Sequence, residues 1–223
     1  MKYIVGRGGL ACEFETYFGP PEKYLEIHEV FPGMKYDYRI YNDRFETYDE
    51  GLEYHPANDD TFLFATGSKK IKKIWFTALS RWFPATVDHF PNKIANSVQL
   101  PPNCDWGYGN VIAHAHITGD NKFGNFNFVN NNSFIAHNVT MGDYNFFGPA
   151  VQVCGKCSFG NDNWVGVGTN FYEAIKVGNN NTIAGGCLIR EPVCDNNFIN
   201  HSNGHPKLVK RNKGHYANTN KKD

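Results

Sequence analysis

Phe134-Ile-Ala-His-Asn138 places one histidine, His137, between an alanine and an asparagine. An imidazole titrates near neutral pH, and a polar neighbour holding one ring nitrogen leaves the other free to take a proton. His137 is therefore a candidate general base. Other constellations compete with it. His114-Ala-His116 offers two further imidazoles that with His137 make three potential metal ligands, and Cys154-Gly-Lys-Cys157 has the spacing of a redox or zinc pair. Gly6-Arg-Gly-Gly9 follows a short apolar run and precedes helix-forming residues, as a phosphate-binding turn does.

The elements that carry these residues differ between the two halves of the chain. From Val111 to Ile189, every sixth residue is apolar: Val111, Ile117, Phe123, Val129, Ile135, Met141, Phe147, Val153, Phe159, Val165, Phe171, Val177, Ile183 and Ile189. A helix requires a period near 3.6 and an ordinary strand a period of two. A period of six fits a solenoid whose hexads each supply one short strand and one corner, the apolar residue pointing inward. Gly-Asn or Gly-Asp recurs every eighteen residues at 124, 142, 160 and 178, as does asparagine at 127, 145, 163 and 181. Three hexads thus make one triangular coil, and residues eighteen apart stack at about 4.8 Å. The asparagines form a predicted ladder of amides, and the Gly-Asn pairs are expected to supply the positive φ of the corners.

In this frame His137 falls on the outside of the coil, Gly155 one coil above it and Glu173 one above that. Gly155 has no side chain to keep a ligand from its backbone N–H. Cys154 and Cys157 take ordinary hexad positions, and no second pair stands at metal spacing, so both read as packing residues. His114 and His116 fall on a different side of a corner from His137, which argues against a shared metal.

The first 90 residues are organised otherwise. KYIVGRGGLACEFETYF reads as strand, glycine turn and helix, and TFLFATGSKKIKKIWFTALSRWF repeats that plan with Ile71, Ile74, Trp75, Ala78 and Leu79 on one helix face. Arg39 to Glu46 reads as a second strand ending near Asp43, an acid suited to ribose or base. The gap from the glycines exceeds the dinucleotide fingerprint, so a full NAD site is not expected.

Composition narrows the function. The chain has 223 residues, 22 basic and 22 acidic, which gives no global field for nucleic acid or an anionic membrane. No run of eighteen apolar residues exists and the apolar start is too short for a signal peptide. A soluble, cytoplasmic protein with six reduced cysteines is expected.

The unit apolar-Gly-x-x-small-x, with the closing stretch Gly185 to Arg211, resembles the hexapeptide repeat of left-handed β-helix acyltransferases. The two halves together resemble one branch of them: the sugar N-acetyltransferases of bacillosamine and perosamine biosynthesis, with their sialic-acid O-acetyltransferase relatives. The likeness is most specific at Gly6 to Ala11, Ala65 to Lys73 and Ile135 to Gly155, whereas Pro20 to Asp59 matches poorly and reads as an insertion. The resemblance implies an α/β Rossmann-like nucleotide-sugar-binding domain over residues 1–90, a left-handed parallel β-helix over 91–206, and a basic tail over 207–223.

It further implies acetyl-CoA as co-substrate, no metal, and a homotrimer with coenzyme A between neighbouring coils. His137 takes the place of the family's general base. Asn138 stands where relatives carry a carboxylate; it can fix the tautomer but supplies no charge, and Asp143 is the nearest acid in sequence. Gly155 and Glu173 are assigned to acetyl-CoA, and Gly8, Gly9, Asp43 and Ser68 to the nucleotide sugar. The expected activity is direct N-acetylation of a nucleotide-linked amino-dideoxy sugar for glycan biosynthesis. The alternatives are O-acetylation of a sialic-acid-type sugar, a catalytically inactive β-helix scaffold, and a metal-dependent hydratase using the histidines.

Overall fold

The computed structural model describes residues 2–31, 33–47, 51–202 and 205–210. The part of the basic tail from 211 onward lies outside the described residues.

Residues 2 to about 80 build a mixed five-stranded sheet. Strand β1 (Tyr3–Val5) leads through Gly6 into helix α1 (Gly9–Phe18) and on to β2 (Lys23–Phe31); β3 (Lys35–Tyr41) and β4 (Leu52–Glu53) follow, then β5 (Phe62–Phe64) and helix α2 (Lys69–Leu79). The order is β4-β3-β2-β1-β5, with β1 parallel to both β2 and β5, and β3 antiparallel to β2. Alternation along β1 explains the layers. Ile4 packs with Ala11 and Phe14 of α1, while Tyr3 and Val5 pack with Trp75, Ala78 and Leu79 of α2. The helices therefore cover opposite faces, and the order in which strands are added switches sides between β1 and β5, where such sheets receive ligands.

Two sequence expectations need correction here. The second strand is β2, not Arg39 to Glu46; the chain reverses at Gly33 (φ 67°) and returns antiparallel as β3. On α2 the buried residues are Lys72, Trp75, Ala78 and Leu79, whereas Ile71 is 40% exposed. The helix turns an ammonium rather than an isoleucine into the contact, and the Lys72 Nζ donates to the Phe126 carbonyl at 2.8 Å.

From Lys93 to Ile189 the chain is a parallel β-helix of two-residue strands, closed by a longer strand, Asn197–Ser202, that joins the first face in parallel and pairs antiparallel with His205–Lys210. Its first face stacks Val111–Ile112, Phe128–Val129, Phe146–Phe147, Trp164–Val165 and Thr182–Ile183; the second stacks His116–Ile117, Phe134–Ile135, Gln152–Val153, Asn170–Phe171 and Leu188–Ile189; the third stacks Asp105–Trp106, Lys122–Phe123, Thr140–Met141, Ser158–Phe159 and Lys176–Val177. The hexad register holds from Ile117 onward, with one slip at the start. Ile112, fully buried, pairs with Val129, so Val111 points outward beside Phe128. The coil from 112 to 129 is one residue short.

The asparagine column is a continuous ladder. Asn92 accepts from the amide of Asn110, Asn110 from Asn127, Asn127 from Asn145, Asn145 from Asn163, Asn163 from Asn181, and Asn181 from Asn197, each at 2.8–3.0 Å. Positive φ, by contrast, does not fall on the Gly-Asn pairs. It falls one residue later, at Phe126, Tyr144, Asp162 and Asn180, and at the other corners on Asp120, Asn138, Lys156 and Ala174 and on Asn132 and Ala150. The glycines at 124, 142 and 160 have a different reason. A β-carbon there would strike the Asp143, Asn161 or Asn179 side chain of the next coil, each of which accepts from the backbone N–H after the glycine.

The sheet unit sits on the first face and on the adjoining corner. Phe64 stacks on Phe126 (centroids 5.1 Å), Phe14 meets Phe128 edge-on, and Lys73 bridges to Asp162 at 2.7 Å. Lys69 reaches the Asp162 carbonyl and the Asn180 amide oxygen. Among the described residues no helix is long and apolar enough to cross a membrane.

Candidate active site

His137 occupies the corner between the second and third faces, the corner most remote from the sheet unit. Its position follows from the repeat: Ile135 is turned into the core, Ala136 fills the narrow step after it, and the next side chain must leave the coil. His137 and Asn138 are both exposed. The backbone at Asn138 lies in the left-handed region (φ 57°), where Asn is among the best tolerated residues. From that conformation its Oδ1 lies 2.8 Å from His137 Nδ1. With the amide oxygen facing the ring, Nδ1 carries the hydrogen and Nε2 keeps its lone pair. Asn138 thus does the orienting work without charge. Asp143 does not take part, because its Oδ1 accepts from the Asn125 amide and side chain at the third corner.

Gly155 lies against the ring. A β-carbon at Gly155 would stand 2.7 Å from His137 Cε1 and Nε2, so only glycine lets the imidazole rest on the coil above it. The Gly155 carbonyl accepts from Ala174 at 2.9 Å, while its N–H donates to nothing among the described residues. Glu173, the next in the column, is paired with Lys156 at 2.6 Å. That hydrogen bond and the Lys156 charge hold the Glu173 carboxyl below its ordinary range, and His137 adds a smaller contribution. Both partners are more than half exposed, and such pairs add little to stability.

At the other end of the molecule, Gly8 and Gly9 open α1 and Ser68 caps α2, its Oγ accepting from Ile71 N–H at 3.4 Å. These turns follow the carboxyl ends of the adjacent strands β1 and β5. A β-carbon at Gly8 or Gly9 would meet nothing within 4 Å, and neither has positive φ. Nothing inside the chain therefore demands glycine at these two positions.

Asp43 reaches this turn only indirectly, through Glu46, whose carbonyl accepts from Arg7. Because β3 runs antiparallel, its end lies toward the start of β2, and Asp43 Oδ1 accepts from the amides of Phe45 and Glu46. Sequence reasoning missed a second acid, one that pairs with the arginine of this turn. Glu26, on β2, pairs with Arg7 at 3.2 Å, and the Arg7 guanidinium lies 3.4 Å from the Tyr41 ring centre. Glu26 stands twenty residues after Gly6, the fingerprint spacing. Its signal was the alternation in KYLEIHEVF.

His114 and His116 line a separate hollow with Ser97, Asn132 and Phe134, where His114 Nδ1 meets Ser97 Oγ and the ring meets Tyr17 edge-on. Among the described residues no three His, Cys, Asp or Glu side chains are placed to hold a metal ion. The six cysteines are free, and Cys157 is buried with its Sγ on the Tyr172 carbonyl.

Solved structures share this fold over nearly the whole chain. The acetyltransferase domain of PglB from Neisseria gonorrhoeae, determined with acetyl coenzyme A, superposes with a TM-score of 0.69 at 16% identity, over 93% of this chain and 98% of that one. PerB from Caulobacter crescentus, determined with CoA and GDP-perosamine, gives 0.69 at 18% identity, over 93% and 96%. The chain has the left-handed β-helix fold of these acetyltransferases. WeeI from Acinetobacter baumannii shares it, with a TM-score of 0.69 at 14% identity, over 94% of this chain and 99% of that one. No family model matches the sequence, and no curated protein does.

Proposed function

We propose that the protein is an acetyl-CoA-dependent N-acetyltransferase acting on the amino group of a nucleotide-linked amino-dideoxy sugar. The observation that carries this reading is the pair of contacts at one corner: His137 held at Nδ1 by Asn138 and seated on Gly155. Nε2 of His137 takes the proton from the sugar amine as that nitrogen attacks the thioester carbonyl. The unpaired N–H of Gly155 donates to the developing oxyanion. Collapse of the tetrahedral intermediate breaks the C–S bond, and the His137 imidazolium returns its proton to the leaving sulfur, which releases coenzyme A as the thiol; no acyl-enzyme forms. Glu173 and Lys156, at the same corner, lie along the path of the coenzyme.

The nucleotide part of the acceptor is assigned to the Gly8, Gly9 and Ser68 turns. These glycines are free of internal constraint, and two helix N-termini converge there on the space a diphosphate would occupy. In one chain those turns sit over the first face, whereas His137 sits at the corner between the other two. That separation supports a homo-oligomer, a trimer by analogy with the resembling family, in which one copy presents the sugar to the histidine of the next. PerB, whose structure holds both CoA and GDP-perosamine, supports the same pairing of substrates here.

The test is thiol release from acetyl-CoA with UDP-, GDP- and dTDP-4-amino-4,6-dideoxy sugars. Turnover with one of them, lost in His137→Ala, is the expected result. Absence of turnover with all three would sink the substrate assignment.

A further inference from the structure

The first face carries a column of outward aromatic rings, Phe128, Phe146 and Trp164, eighteen residues apart. Phe128 is 1% exposed beneath Phe14 of α1. Phe146 is half-buried beneath Gly67, where a β-carbon would stand 3.0 Å from its ring. Trp164 continues the stack, 5.8 Å from Phe146 and 5° from parallel, but the sheet unit stops short of it and leaves it 40% exposed. The loop that stops there is the one after β5, fixed by Lys69 on the Asp162 carbonyl, two residues before Trp164.

We propose that the exposed side of the Trp164 indole is the platform for the pyranose ring of the acceptor. The proposal rests on the nucleotide-sugar reading above and adds a specificity-determining residue to it. Three features support it. The turn after β5 runs along this column, Gly67 against Phe146 and Lys69 on the Asp162 carbonyl, with Ser68 between them. Toward β2 the crevice at the switch point is bounded by Arg7 and Glu26, a polar pair suited to the nucleoside end of a diphosphate. The hexose end then extends over β5 toward Gly67, Phe146 and Trp164. A dideoxy pyranose presents C–H groups and a methyl on one face, and a flat aromatic ring of fixed orientation is matched to that surface. Phe146 holds the indole plane in place, so the platform is preorganised and little side-chain freedom is lost on binding.

Calorimetric titration tests this with the three 4-amino-4,6-dideoxy nucleotide sugars and the matching nucleoside diphosphates, on the wild type, Trp164→Phe and Trp164→Ala. Trp164→Ala is expected to weaken the preferred nucleotide sugar about 3- to 10-fold while leaving the nucleoside diphosphate unchanged. Trp164→Phe is expected to restore most of that loss, and the KM for acetyl-CoA is expected to stay constant across the series. Equal weakening of sugar nucleotide and nucleoside diphosphate would overturn the proposal, since the ring would then serve the nucleotide. No change in either would overturn it as well. Failure of the wild type to bind any of the three sugar nucleotides would overturn the underlying substrate reading, a result distinct from the other two. Thermal unfolding of both variants checks that the half-exposed position tolerates them.

Discussion

The imidazole of His137 rests on Gly155, with Nε2 and Cε1 only 2.7 Å from where a β-carbon of residue 155 would lie. The contact joins two successive coils at one corner, and it makes the position of the ring depend on the absence of a single methyl group.

Gly155→Ala is therefore expected to push the imidazole off the coil. Because His137 is exposed and Gly155 does not have positive φ, the ring can swing into solvent at small cost. The expected outcome is a fall in kcat of at least ten-fold with little change in melting temperature. Measured together, kcat and Tm separate this from general destabilisation.

His137→Ala should lower kcat by ~10²–10⁴-fold, the usual contribution of a general base, with coenzyme A affinity retained. Retained turnover in this variant would remove His137 from the mechanism.

Asn138 can be tested in both directions. Asn138→Ala removes the acceptor that holds Nδ1 and is expected to lower kcat several-fold. Asn138→Asp keeps the acceptor and the tolerance for positive φ while adding a charge beside the imidazolium formed during transfer. Its kcat should equal or exceed that of the wild type, and its pH–rate profile should shift to higher pH as the carboxylate favours the protonated ring.

Asn145→Ala breaks the ladder in its middle. The Asn163 amide and side chain would lose their acceptor, and the Gly160 carbonyl would lose its donor. A buried unsatisfied group costs about 1–3 kcal/mol, so chemical denaturation should show a loss of at least that size.

Lys72 offers a pH-dependent test of the contact between the two units. Desolvation lowers its pKa from 10.5 to about 7. Below about 7 the buried ammonium is charged in both states and its full penalty is felt. Between 7 and 10.5 the unfolded chain binds a proton that the folded chain does not, so stability rises with pH by about 1.4 kcal/mol per unit. Lys72→Met removes this contribution. The wild-type-minus-variant difference in unfolding free energy, followed from pH 6 to 9, is expected to rise above pH 7, and a flat difference would show that Lys72 does not titrate in this window.

Much of the coil was legible because its physics is local and repeats. Inward apolar residues must recur once per hexad, and Asn127, Asn145, Asn163 and Asn181 must align if every coil has the same length. The slip at Val111 was hidden for the same reason: a coil one residue short changes no residue type, since Val111 and Ile112 are both apolar. The Gly-Asn pairs were visible, but their cause was not. Whether a glycine relieves φ or admits a neighbouring side chain depends on the coil above it.

The sheet unit was less legible. Strand, glycine turn and helix could be read at β1–α1 and β5–α2, yet the strand before Asp43 was read as the second when it is the third and antiparallel, and Glu26 was overlooked. Strand direction decides that, and direction is set by pairing with distant residues rather than by the composition of the strand itself. The sequence alone determined the repeat, the inward core, the asparagine ladder and the exposure of His137, because a periodic chain defines its own inside and outside. Only the tertiary structure decided that Gly155 carries the imidazole, that Lys72 is buried at the contact of the two units, and that Trp164, unlike Phe128 and Phe146 in its column, is left exposed. Each of these depends on surfaces brought together from separate parts of the chain, and no local pattern records which side chain finds its neighbour already in place.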